Sequence, residues 1–170
     1  MNQPVAKLAG RIAVITGTAR GLGTAIAEQF GRDGAKVLLV DRDGDNLPKV
    51  AQQIAAAGAA DVAWIAQDLA LESGAQAAMD LALSKWGQID ILVNNAGGGI
   101  IRPFLEHTAE TLVETINRNL WTAIWCIRAA LPHMLAREYG RIVNISADSV
   151  HTRIWSHAGY NAAKGGVNGL

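Results

Sequence analysis

Apolar positions along this chain alternate between two textures. Short runs rich in Val, Ile and Leu occupy Arg11–Thr16, Lys36–Asp41, Asp61–Gln67, Ile89–Asn94 and Arg141–Ser146. Stretches such as Ile12-Ala13-Val14-Ile15, Val37-Leu38-Leu39-Val40 and Ile142-Val143-Asn144-Ile145 are apolar on both faces, the pattern of parallel strands covered by helices on each side. Between these runs, Ala- and Leu-rich segments predict helices over Leu22–Asp33, Asp45–Ala57, Ser73–Trp86, Ala109–Ala136 and from Gly159 onward. Gly34, Gly58 and Gly87 follow three of those helices, where a left-handed cap residue is wanted. Strand–helix alternation predicts an α/β fold of βαβ units with right-handed crossovers, a doubly wound parallel sheet. On the long predicted helix, Trp121 and Trp125 stand four residues apart and share a face. Core packing is the expected use of that pair; a helix-pair subunit interface is the alternative.

Composition narrows the classes. The chain has 170 residues, half of them hydrophobic, with 15 basic and 15 acidic side chains that cancel. That balance excludes a disordered chain and argues against a dedicated nucleic-acid binder. One domain is expected, residues 11–170, behind an N-terminal tail of residues 1–10. No apolar run reaches the length of a membrane span, and the first residues lack the apolar core of a secretory signal. Cys126 is the only cysteine and reads as a small buried hydrophobe, while the four His have no metal-site spacing, so no metal is expected. A reducing, cytoplasmic setting is the expectation.

Candidate chemistry begins after the first strand, at Thr16-Gly17-Thr18-Ala19-Arg20-Gly21-Leu22-Gly23. Three glycines at this spacing are a weak signal alone. Their position between a strand and a helix makes them a phosphate-cradling turn: backbone can approach a pyrophosphate, and the helix N-terminus supplies N–H groups. Asp41 ends the second strand, where a carboxylate can accept hydrogen bonds from adenosine ribose hydroxyls and repel a 2′-phosphate. That favours NAD. Arg20 and Arg42 pull toward phosphate and leave NADP open.

With these motifs stand Asp68-Leu69, Asn94-Asn95-Ala96-Gly97, Asn119, Ser146 and Tyr160-x-x-x-Lys164. In this order and spacing the chain resembles the short-chain dehydrogenase/reductase family, over residues 11 to 170. The resemblance implies a Rossmann-type sheet and hydride transfer between NAD(H) and a secondary alcohol or ketone. Tyr160 and Lys164, at i and i+4, share a helix face. A nearby ammonium favours a phenolate, so Tyr160 is the expected proton acceptor or donor. By resemblance, Lys164 bonds the nicotinamide ribose, Ser146 holds the substrate oxygen, and Asn119 positions a water leading to Lys164. Asp68 bonds the adenine amino group with Leu69 beside it, and Asn95, Ala96 and Gly97 border the adenosine ribose. The glycine-loop contacts fall on Gly17, Thr18, Arg20, Gly21, Leu22 and Gly23.

The substrate is less legible. The segment between Ser146 and Tyr160 offers His151, Arg153, Trp155 and His157, which suit an anionic, partly apolar substrate. Stretches around Trp125–Leu135, Gly97–Ile100 and Ala162–Asn168 resemble the cis-dihydrodiol carboxylate dehydrogenases, which oxidise a ring diol with NAD; loss of CO2 then restores aromaticity. An NADP-linked 3-ketoacyl-thioester reductase and a non-catalytic dinucleotide-binding fragment are the alternatives. The resemblance further implies a homodimer or homotetramer, and a longer fold with at least one more strand, a nicotinamide-contacting turn and a lid. The C-terminal part of the fold is therefore expected to be missing from these 170 residues, leaving the fifth strand an uncovered apolar edge.

Overall fold

A computed structural model describes residues 6–152 and 154–170. Strands β1 (Ile12–Thr16), β2 (Lys36–Asp41), β3 (Asp61–Ala66), β4 (Ile91–Asn94) and β5 (Arg141–Asn144) form one sheet in the order β3-β2-β1-β4-β5. All four pairings are parallel. Helices α1 (Gly21–Arg32), α2 (Leu47–Ala56), α3 (Glu72–Trp86), α4 (Ala109–Ile116), α5 (Thr122–Ala136), α6 (Ser149–Thr152) and α7 (Ala158–Asn168) alternate with the strands. The expected elements are present, and Gly34, Gly58 and Gly87 each adopt the positive φ that a helix-ending residue needs.

The period of two along each strand divides the core. Val14, Leu38, Val40 and Leu92 face α3 and α5, packing on Ala78, Met79, Ala82 and Ala130. Ala13, Ile15, Val37 and Leu39 face the other way onto Ala27, Leu47 and Ile54 of α1 and α2. Cys126 is buried in the first layer, where loss of water pushes its thiol up to about 12, so it packs as a hydrophobe. Because the chain leaves β1 toward β2 and later returns to β1's other side as β4, a crevice opens at the carboxyl ends of β1 and β4.

Three sequence expectations are corrected. The helix predicted over Ala109–Ala136 is α4 and α5 joined by a π-helical turn at Asn117–Trp121. Side chains explain it: Asn119 Nδ2 donates to the Thr115 carbonyl at 2.8 Å, and Thr122 Oγ1 donates to the Arg118 carbonyl at 3.2 Å. They engage carbonyls of the helical ladder at the widened turn. Trp121 and Trp125 do stack, with centroids 4.9 Å apart, but Trp121 is exposed and only Trp125 leans on the core. Finally, β5 is not buried on both faces; Arg141 and Val143 are exposed on one of them.

The amino end of the sheet is closed by one carboxylate. Asp90 accepts from the Ile12 N–H and from Gln88 Nε2, both at 2.9 Å, and from Arg137 at 3.2 Å, with Arg11 at 3.5 Å. Its burial pushes the carboxyl pKa up, but these donors outweigh that and hold it below its ordinary value. Among the described residues, no helix is long and apolar enough to cross a membrane.

Candidate active site

The carboxyl end of β1 turns into the glycine loop. Gly17 and Gly21 have φ of +70° and +62°, a region where other residues are strained. A Cβ on Gly17 would lie 2.8 Å from Ala96 Cα, and one on Gly23 would meet the Gly17 carbonyl oxygen and come within 2.7 Å of Asn95 Nδ2. Glycine is thus required by close packing inside the loop as well as by any ligand outside it. Asn95 is the clamp: its Nδ2 donates to the carbonyls of Thr16 and Gly17 at 3.0 and 3.1 Å. Thr16 Oγ1 accepts from the Asn95 and Ala96 N–H groups at 3.0 and 2.9 Å. Thr18 is buried, and its carbonyl accepts from Thr24 Oγ1 at 2.9 Å. No side chain caps the start of α1, so its first N–H groups remain available to an anion.

A cleft of about 500 Å³ opens over this loop. Gly17, Arg20, Leu22 and Gly23 form one wall, Asp41, Arg42, Asp68 and Leu69 another, and Asn95, Ala96 and Gly97 the third. Asp41 has work of its own: its carboxylate accepts from the Ala19 N–H at 2.9 Å and the Asp43 N–H at 3.0 Å. Two carboxylate oxygens have about four acceptor positions, so capacity for ligand hydroxyls remains. Asp68 likewise caps its own turn, accepting from the Ala70 N–H at 2.9 Å. The residues fit a dinucleotide because the cradle is floored by glycines whose Cβ positions are occupied and walled by an acid at the end of β2. Among the described residues, no group of three or more His, Cys, Asp or Glu is arranged to hold a metal ion.

The segment 94–99 carries this cleft across to α7. The Gly98 N–H donates to Asn119 Oδ1 at 3.0 Å and the Gly98 carbonyl accepts from Asn119 Nδ2 at 2.9 Å. A Cβ on Gly97 would lie 2.6 Å from Asn119 Oδ1 and 3.5 Å from Lys164 Nζ; one on Gly99 would lie 3.3 Å from the Tyr160 ring. Lys164 is 4 % exposed and donates to the Ile145 carbonyl at 2.7 Å. The turn therefore brings Asn119, Lys164 and Tyr160 to one strip of backbone. Ser146 stands beside them, but its hydroxyl donates to the Lys164 carbonyl at 3.2 Å and makes no bond to Tyr160. Asn119's amide bonds the Gly98 backbone and the Thr115 carbonyl, which satisfies it where it is buried.

Burial raises the Tyr160 phenol pKa and lowers that of the Lys164 ammonium, each disfavouring the charged form. The expectation of a phenol acidified by its neighbour is not met in this arrangement: the Lys164 Nζ is 5.9 Å from the Tyr160 ring centroid, and desolvation is the larger effect. Of the proposed substrate residues, His151 and Trp155 are exposed, Trp155 by 81 %. Arg153 lies outside the described residues. His157 is nearer, its ring edge-on to Tyr160 with centroids 6.1 Å apart and Nδ1 2.7 Å from the Trp155 carbonyl. Sequence reasoning placed Thr16 in the loop motif without giving it a role, and missed Arg118 and Thr122: the first holds the loop, and the other two line the cleft. Adjacency to Asn119 was the only signal for Arg118, and a serviceable signal for Thr16 was its place at the strand end.

Comparison with known proteins gives the same family from three sides. The profile described as short chain dehydrogenase matches residues 11–170. The chain is 53 % identical, over 96 % of its length, to a 2,3-dihydroxy-2,3-dihydro-p-cumate dehydrogenase of Pseudomonas putida, covering 63 % of that protein. It is 38 % identical, over 94 % of its length, to a 1,6-dihydroxycyclohexa-2,4-diene-1-carboxylate dehydrogenase of Acinetobacter baylyi, covering 60 % of it. The chain thus spans about three fifths of the length of these curated relatives. A metagenomic short-chain oxidoreductase crystallised with NADP superposes with a TM-score of 0.90 at 37 % identity, covering 96 % of this chain and 74 % of that one.

Proposed function

The chain belongs to the short chain dehydrogenase family, and from that premise we propose that its protein oxidises a ring cis-diol carrying a carboxylate, with NAD as the partner. The observation that carries this reading is the 53 % identity to the p-cumate dihydrodiol enzyme, which extends over 96 % of the chain. NAD, when bound, supplies the hydride acceptor. This chain's residues do the rest. Gly17, Thr18, Gly21, Leu22 and Gly23 with Arg20 hold the pyrophosphate at the α1 N-terminus. Asp41 takes the adenosine ribose, with Arg42 alongside; Asp68 and Leu69 take the adenine, and Asn95, Ala96 and Gly97 border the ribose.

Tyr160 accepts the proton of the substrate hydroxyl while the carbon gives up hydride, leaving a ketone; the reverse transfers both back. Lys164, on the same face of α7, stabilises the phenolate this requires and reaches the second ribose. Ser146 turns from the Lys164 carbonyl to hold the substrate oxygen. Asn119 fixes the Gly98 backbone, in the 97–99 segment along which Lys164 and Tyr160 lie. A second reading, NADP as cofactor, is favoured by Arg20 and Arg42 at the cleft and by the relative crystallised with NADP.

One experiment tests the proposal. The full-length gene product is offered NAD or NADP with ring cis-diol carboxylates, simple secondary alcohols and 3-hydroxyacyl thioesters, and reduced nicotinamide is followed by absorbance. Turnover of the diol with NAD is expected, falling about 10³-fold in Tyr160→Phe with NAD binding retained. Preference for the thioester with NADP, or near-normal turnover in Tyr160→Phe, overturns it.

A further inference from the structure

We infer that Ser149 and Asn161 are positioning residues: their reciprocal hydrogen bonds lock the loop that carries Ser146 onto the helix that carries Tyr160, so that both side chains meet one substrate oxygen. The inference rests on the roles proposed above for Ser146 and Tyr160. The Ser149 hydroxyl donates to Asn161 Oδ1 at 2.6 Å, and Asn161 Nδ2 donates to the Ser149 carbonyl at 2.8 Å. A carbonyl can only accept, which fixes the orientation of the amide and makes its oxygen the acceptor for the hydroxyl. Ser149 is buried, so little water competes for the pair.

Ser146 needs such a tie. The last bond between β5 and its neighbour runs from the Ile145 N–H to the Asn94 carbonyl at 2.9 Å, so Ser146 stands just past the hold of the sheet. Residues 147–152 form a self-bonded turn, with the Val150 N–H on the Ala147 carbonyl at 3.3 Å and the His151 N–H on the Asp148 carbonyl at 2.9 Å. A displacement of Ser149 is therefore passed back toward Ser146. On α7, Asn161 directly follows Tyr160 and shares a face with Gly165, where a Cβ would lie 3.9 Å from Val150 Cγ1. That face meets the loop. The other side-chain bonds between residues 145–152 and α7, among the described residues, run from Ser146 Oγ to the Lys164 carbonyl at 3.2 Å and from Lys164 Nζ to the Ile145 carbonyl at 2.7 Å. Both use side chains that the reaction calls away, Ser146 to the substrate oxygen and Lys164 to the ribose. The Ser149–Asn161 pair has no such second task and persists through turnover. Two groups aimed at one oxygen leave little room for error: a misplacement of about 1 Å can cost about 100-fold in rate.

The test measures kcat for the diol and affinity for NAD in the full-length gene product, for the natural protein, S149A, N161A, N161D, the double variant S149A/N161A, and N161A placed in S146A. N161A is expected to lower kcat about tenfold or more, with NAD affinity within about twofold. S149A should match it, and the double variant should be no slower than either, because the same pair is lost in all three. N161D keeps an acceptor for the Ser149 hydroxyl but turns a carboxylate oxygen on the Ser149 carbonyl, and should be no faster than N161A. In the S146A background, N161A is expected to change kcat by less than about twofold, since the pair acts through Ser146; a merely structural loss would lower it further. Hydrogen exchange over residues 145–152 reads the pair without turnover, and is expected to rise in N161A while β1 to β4 keep their protection. Natural kcat in N161A, an equal loss of NAD affinity, a further large loss in the S146A background, or unchanged exchange over residues 145–152 each overturns the inference. If S146A turns over at the natural rate, or the natural protein oxidises no diol, the reading on which the inference rests fails, and raised exchange in N161A distinguishes that failure from the absence of the pair.

Discussion

The two ends of the sheet are built by opposite rules. At the amino end Asp90 is fully enclosed, and its two oxygens collect donors from Ile12, Gln88, Arg137 and Arg11. Tyr139 closes the same end, its ring flanked by Arg11 at 4.2 Å and Arg141 at 4.9 Å. At the carboxyl end the polar groups divide. Asn95, Thr16 and Asn119 are engaged by backbone, but the Tyr160 hydroxyl makes no hydrogen bond among the described residues and Arg118 keeps an unpaired Nε. One end uses its polar side chains to close the fold. The other uses half of them to hold backbone in place and leaves the remainder uncommitted beside a cleft. Chemistry needs groups with spare hydrogen-bonding capacity, and a rigid neighbour to aim them.

The strongest way to break the comparison is at the closed end. Asp90→Ala strands two guanidinium groups and an amide, and is expected to cost about 3–5 kcal/mol of stability, measured by denaturant unfolding, with NAD affinity of the folded fraction unchanged. Because its folded pKa is depressed, the contribution of Asp90 is complete above the unfolded carboxyl value of ~3.9 and is lost as pH falls through the folded value. Asp90→Asn should therefore flatten the acid limb of the stability profile. A loss of NAD affinity in either variant would show that the two ends are coupled. Next in size is Gly23→Ala, which forces a methyl group into the Gly17 carbonyl. Overpacking of this kind costs about 1–3 kcal/mol, and here the displaced atoms are the cradle itself, so NADH binding by fluorescence should disappear. Retained binding would mean the loop has slack that the close contacts do not suggest.

The same division explains how much could be read beforehand. The sheet, its order-determining crossovers and the capping glycines follow from local pattern, because strands covered on both faces and left-handed caps restrict residue type directly. The residues lining the cleft also declared themselves, since Gly17, Asp41 and Asp68 sit at or just past strand ends and Gly23 in the first turn of α1. Side-chain commitments did not. That Ser146 bonds the Lys164 carbonyl, that Asn119 spends its amide on Gly98 and Thr115, and that Asp41 braces Ala19 all depend on which backbone groups fold back within reach. The π-helical turn was hidden for the same reason: Asn117 to Trp121 carries no helix-breaking residue, and the widening accompanies tertiary bonds of Asn119. Trp121 misled because i,i+4 spacing specifies a shared face and not which side that face meets.

A smaller effect sharpens the open end through pH. Burial raises the Tyr160 pKa, so the phenolate is scarce near neutrality. Oxidation that depends on it should climb about tenfold per pH unit below that pKa, and Lys164→Met should move the limb further alkaline. The stability signs are opposed. Above ~10 the unfolded Tyr has lost its proton while the folded one keeps it, so stability falls as pH rises. The folded Lys164 loses its proton before the unfolded one does, so between its folded pKa and ~10.4 stability rises with pH. A pH-independent oxidation rate would remove Tyr160 from the proton transfer.

The smallest expected change is Trp155→Ala. Its side chain is 81 % exposed, and its carbonyl, which the substitution keeps, is the atom near His157 Nδ1. Stability should stay within about 0.5 kcal/mol, because an exposed side chain outside the core has little burial to lose. The kinetic outcome is the informative one. If Trp155 walls the substrate, KM for a diol with a bulky apolar substituent should rise more than KM for an unsubstituted one, with KM for NAD unmoved. Equal KM changes for both diols would assign Trp155 to the outer surface and leave His157, edge-on to Tyr160, as the aromatic neighbour of the reacting carbon. Measured beside Asp90→Ala, this substitution spans the contrast between the two ends: one side chain that holds the fold and touches no ligand, another that touches almost none of the fold.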